Sequence, residues 1–167
     1  ALKQGRTPQL DRPVAAVTEV ELRLPVLLPE DYIHDVPLRL TLYKRIAAAG
    51  DQATLDELTA ELIDRFGELP TAAQNLLSIA RLKLGARKLG IRRLDLGPQG
   101  GYVHFEANAA VDPLKLVKLL QSPGREYKLD GPVKLRISRA LATPSSRFEF
   151  AGGLLDYLGN PAAKQDA

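Results

Sequence analysis

From Thr18 to Leu24 the chain alternates, with Val20, Leu22 and Leu24 on one face and Glu19, Glu21 and Arg23 on the other. That period of two predicts a half-buried strand, ended by Pro25. "LLPEDYI" then reads as a connector pinned to the core. Beyond it the period lengthens: Leu38, Leu42, Ile46 and Ala49 make a stripe between Asp35, a capping residue, and Gly50, a stop. A helix is predicted over 36–49, with Pro37 in its first turn. Leu55, Leu58, Leu62, Ile63 and Phe66 predict a second helix over 53–66. Gly67 suits the left-handed residue after it, and Pro70 opens a third helix that runs to a stop at Gly90.

Short strands follow. "IRRLDL" and "YVHFEA" flank the turn "GPQGG", Asp112-Pro113 opens the helix "PLKLVKLLQ", and "EYKL" and "VKLRI" flank "DGP" as a second hairpin. Val133, Leu135 and Ile137 form the inner face of that hairpin, and Lys115 and Lys118 are expected on the wet side of the short helix. A last helix starts at Thr143-Pro144, anchored by Phe148, Ala151, Leu155 and Leu158 and weakened by Gly152 and Gly153. Strands in antiparallel pairs and helices in a cluster make the fold class α+β: small antiparallel strands and hairpins packed with about five helices.

Residues 1–17 have two prolines and no periodicity, and read as a linker; 18–158 form the ordered domain, and 159–167 a mobile tail. The chain has no Met and opens on Ala1, which suggests a piece of a longer polypeptide. Its 167 residues suffice for a real core. There is no Cys, hence no disulfide and no thiolate metal site. No apolar run approaches the roughly 20 residues of a membrane span. A net charge of +3 permits nucleic-acid contact without implying it.

Candidate chemistry is sparse. His34 and His104 stand on separate elements, and "GPQGG" lacks the Lys and following helix of a phosphate-binding loop. The oddity is "ELIDRFGELP". At about 100° per residue, Glu57, Glu61 and Asp64 fall together on the outer face of the second helix. Asp64 lies in the last turn, where the helix macrodipole disfavours a carboxylate. A solvated face explains such acids blandly, with Glu61 and Arg65 as an i,i+4 pair and ordinary pKa values; an interface explains the violation. The third helix ends in Arg81, Lys83, Arg87 and Lys88, which obey the dipole rule and offer an alternative phosphate-contacting set together with Arg92 and Arg93.

"LLPEDYIHDVPLRLTLYKRIA", "AELIDRFGELP", "IARLKLGARKLGIRRL" and "YKLDGPVKL" occur in that order and together resemble the C-terminal domain of the bacterial transcription-repair coupling factor (Mfd) family. The resemblance runs from about Val17 to Leu158. It implies a cytoplasmic, multidomain, ATP-driven DNA translocase that displaces stalled RNA polymerase and recruits UvrA for nucleotide excision repair. ATP and Mg would belong to upstream domains, with no cofactor and no catalytic residue in this one. The C-terminal domain would be regulatory and autoinhibitory: it would pack on the UvrB-like module of the same protein and cover the UvrA-binding surface. By position in the motif, Glu61 and Asp64, with Glu57 and Arg65 beside them, would face basic residues of that module.

Overall fold

The structure, a computed structural model, describes residues 17–159. The linker expected over 1–17 therefore lies outside the described residues except for Val17, and the tail except for Gly159.

The elements are β1 (Glu19–Glu21), α1 (Val36–Ala48), α2 (Gln52–Phe66), α3 (Thr71–Lys88), β2 (Ile91–Gly97), β3 (Gly100–Phe105), α4 (Pro113–Leu120), β4 (Tyr127–Leu129), β5 (Lys134–Ser138) and α5 (Pro144–Gly159). One 3-10 turn, Pro123–Arg125, precedes β4. The α+β reading and the order of elements stand. The described residues gather into two compact units, one of residues Arg23–Gly85, the other joining residues 17–22 to residues 86–159.

The first unit is helical. Asp35 caps α1 by accepting from the Leu38 N–H at 2.9 Å, and Asp51 caps α2 by accepting from Thr54 at 2.8 Å. The Asp51 carboxyl is lowered below its usual range by the same Thr54 hydrogen bonds. Leu42, Ile46, Leu55, Leu58, Leu62, Ala73 and Leu77 make the core, with Leu28 and Ile33 of the connector buried among them. Leu38 is only partly buried. Ile63, expected on the inner face of α2, is 48% exposed. It lies one residue, about 100°, beyond Leu62, which rotates it past the edge of the stripe.

The second unit holds a five-stranded sheet in the order β1-β2-β3-β5-β4. β1 runs parallel to β2, and the other pairs are antiparallel. The alternating segment read as a strand to Leu24 forms only a three-residue ladder, because Arg23 adopts a left-handed φ of 59° that turns the chain away. Val20, Leu94, Leu96, Val103, Leu135 and Ile137 are buried, as period-two alternation requires. A Cβ on Gly101 would collide with the Asp95 backbone carbonyl, so the close pairing of β2 and β3 requires Gly there.

Lys115 contradicts its expected place on the wet side of α4. It is fully buried, while Leu114 is 59% and Val117 43% exposed. Its Nζ has no hydrogen-bond partner among the described residues and sits 4.3 Å from the centroid of the Tyr157 ring. The Tyr157 hydroxyl in turn donates to the Lys115 carbonyl at 3.2 Å.

Candidate interaction surface

The outer face of α2 is fixed from both ends. At the start, the Asp51 cap holds the first turn. At the end, Gly67 adopts a φ of 92° and donates its N–H to the Ile63 carbonyl, and the Tyr32 hydroxyl sits 3.2 Å from both the Leu62 and the Gly67 carbonyls. Tyr32 also packs its ring 5.8 Å from Phe66. The last turn, which bears Asp64, is therefore tied to the connector through Tyr32.

Glu61 is not a free surface acid. Arg45, at the end of α1, grips it with two parallel hydrogen bonds of 2.9 and 2.8 Å, the fork geometry that suits a carboxylate. Arg65 adds a third at 3.0 Å and lays its guanidinium 4.9 Å over the Phe66 ring. These contacts, Arg45 first and Arg65 second, hold the Glu61 carboxyl down at about 2. The expectation of an ordinary pKa is thus corrected for this residue. The i,i+4 pair with Arg65 exists, but Arg45, 16 residues upstream, is the stronger partner.

Glu57 and Asp64 are exposed, and neither has a hydrogen bond or ion pair among the described residues. The same face carries two free negative charges, a clamped Glu61 between them, and the exposed apolar Ile63 beside Asp64. Sequence reasoning missed Ile63 as a surface group and Arg45 as the clamp. A shallow notch of about 340 Å³ between Arg45, Thr54, Glu57 and Glu61 completes this surface.

The alternative phosphate-contacting set divides differently. Arg81 belongs to the helical unit and leans on Asp56 at 3.4 Å. Arg87, Lys88, Arg92 and Arg93 belong to the sheet unit. Arg93 is occupied by Glu19 and Asp95. Arg87, Lys88 and Arg92 are exposed and unpaired among the described residues.

No cluster of three or more His, Asp or Glu able to hold a metal occurs among the described residues, and no described helix is long and apolar enough to cross a membrane.

The family model described as the TRCF domain matches residues 22–116. The chain belongs to the TRCF domain family. A transcription-repair-coupling factor of Haemophilus influenzae is 48% identical over 155 residues, covering 93% of this chain and 14% of the relative. That of Escherichia coli is 48% identical over 150 residues, covering 90% and 13%. The TRCF chain thus spans about one seventh of the length of these relatives. A crystal structure of the C-terminal domain of transcription-repair coupling factor superposes with a TM-score of 0.65 at 23% identity, over 85% of this chain and 94% of that one, and shares its fold.

Proposed function

We propose that this TRCF domain is a non-catalytic, autoinhibitory docking module of a bacterial cytoplasmic protein that couples transcription to nucleotide excision repair. It packs through the outer face of α2 on a UvrB-like module of the same polypeptide and masks the surface that UvrA would occupy. ATP hydrolysis, Mg binding, DNA translocation and RNA polymerase contact belong to other parts of that polypeptide. The observation that carries the reading is the pair of exposed acids Glu57 and Asp64, without a partner among the described residues, on a capped helix face with Ile63 as an apolar anchor beside them. Interfaces of this kind combine an apolar centre with charges that select the partner. Glu61 serves chiefly to hold Arg45 and Arg65 in place, so the docking charges are Asp64 and Glu57.

The test is to delete this domain from the intact protein and measure UvrA binding. A cover lowers apparent affinity by the fraction of molecules that are open, so the truncated protein should bind UvrA more tightly. Equal binding by the two forms would refute masking.

The exposed, unpaired Arg87, Lys88 and Arg92 favour a second reading, an accessory DNA contact. It predicts duplex binding by the chain that falls with salt with a log–log slope of about −2 to −3 for three phosphate contacts.

A further inference from the structure

A slot of about 430 Å³ lies wholly within the sheet unit, between α5, the start of β4 and the segment after β5. None of its lining residues belongs to the helical unit that carries the docking face, and all lie beyond residue 116, where the family-model match ends. Three aromatic rings, Tyr127, Phe150 and Tyr157, line it, and Leu141 adds an aliphatic wall. Tyr127 and Phe150 are stacked, 6.5 Å apart and 20° from parallel. Arg139, half-exposed, stands at the rim with its guanidinium 5.1 Å from the Phe150 centroid; Ser146 also lines the slot, but its hydroxyl donates to the Thr143 carbonyl at 2.7 Å.

The electrostatics around this slot are unbalanced. Lys115 is fully buried, its ammonium lies over the Tyr157 ring, and it has no counter-ion among the described residues. Arg147 is 5% exposed; one nitrogen donates to the carbonyl of Leu141 at 2.6 Å, and its Nε has no partner among the described residues. Each cation thus touches a residue that lines the slot. A buried cation without a hydrogen-bonded anion is expensive in a low-dielectric interior. Glu126 offsets Arg139 at 3.1 Å, and Glu149 lies at the exposed mouth, which leaves an excess of one positive charge around an aromatic cavity.

We infer that this slot binds an aromatic carboxylate, with the ring between Tyr127, Phe150 and Tyr157 and the carboxylate turned to the Arg139 rim in the field of Lys115 and Arg147. The rings supply flat apolar contact, and the buried cations supply the charge preference. Either a free aromatic acid or the C-terminal aromatic residue of a peptide carries this chemistry.

Titration of the 15N-labelled chain tests it, with phenylacetate and phenylacetamide as one pair of probes and acetyl-Gly-Gly-Phe with a free or amidated terminus as the other. Amide shifts should saturate and concentrate around Ser146 and Gly153. Each acid should bind at least about tenfold more tightly than its amide, because charge-assisted hydrogen bonds are roughly twice as strong as neutral ones. The tighter-binding acid identifies the source. Gly153 lines the slot, and a Cβ there meets nothing within 4 Å. Gly153→Leu should therefore fold normally, fill the slot and abolish binding, while Lys115→Met should narrow the acid-over-amide preference. No saturable shifts with either acid, equal affinity for acid and amide, or unchanged binding by a folded Gly153→Leu variant would each overturn the assignment.

Discussion

At the scale of single residues, Glu61 is accounted for within the domain, which leaves Asp64 as the acid that breaks the dipole rule. A carboxylate late in a helix is tolerated because Arg45 and Arg65 enclose it. Only Arg65 was legible in the sequence, as an i,i+4 neighbour; Arg45 comes from another helix, and no local spacing reports a tertiary pair. The clamp has a pH signature. The folded-state pKa is depressed from 4.5 to about 2, so its contribution is complete above the unfolded value and is lost as pH falls through the folded one. Thermal melts of the chain and its Glu61→Gln variant should differ above about pH 4.5, converge between about 4.5 and 2, and coincide below. Being exposed, the pair is also screened, and the gap should shrink in salt. A gap that persists unchanged at pH 2 would mean the charge is not its source.

The element scale shows what periodicity can and cannot deliver. The helices and hairpins were legible because their stripes and stops agree: Asp35 and Asp51 cap, Gly67 turns, and Leu135 and Ile137 alternate inward. The parallel pairing of β1 was not legible, since alternation is the same for either strand direction. Lys115 and Lys118 are about 60° apart around α4 and straddle its waterline, so three-residue spacing grouped two lysines that the tertiary packing separates. The candidate slot was invisible for the same reason, being assembled from α4, β4, α5 and a loop. Glycine positions give an element-level prediction. Nothing lies within 4 Å of a Cβ added at Gly152 in α5, so Gly152→Ala should raise chemical-denaturation stability by about 0.5–1 kcal/mol. Gly101→Ala, pressed against the Asp95 carbonyl, should lower it by more than about 3 kcal/mol. Equal effects at the two sites would contradict the close β2–β3 approach.

For the whole molecule, the docking proposal turns on the difference between acids that the domain already uses and acids that it leaves free. Reversing Glu61 would confound the two, because Lys there would face Arg45 and Arg65 and disturb the helical unit itself. Glu57→Lys with Asp64→Lys separates them. Both residues are exposed and unpaired among the described residues, and a Lys in the last turn of α2 suits the macrodipole, worth about 0.3–1 kcal/mol. The variant chain should therefore melt at or slightly above the parent temperature. In the intact protein the same changes would set Lys against the basic residues proposed to oppose them. Losing a desolvated interfacial charge pair costs about 2–5 kcal/mol, and each 1.4 kcal/mol shifts a closed-to-open equilibrium tenfold. UvrA binding should then rise toward that of the deletion, while Asp156→Lys, an exposed acid on α5, should leave it alone. If the double variant melts normally and UvrA binding stays at the parent level, the outer face of α2 is a solvated surface, and masking, if it occurs, uses another face of the domain.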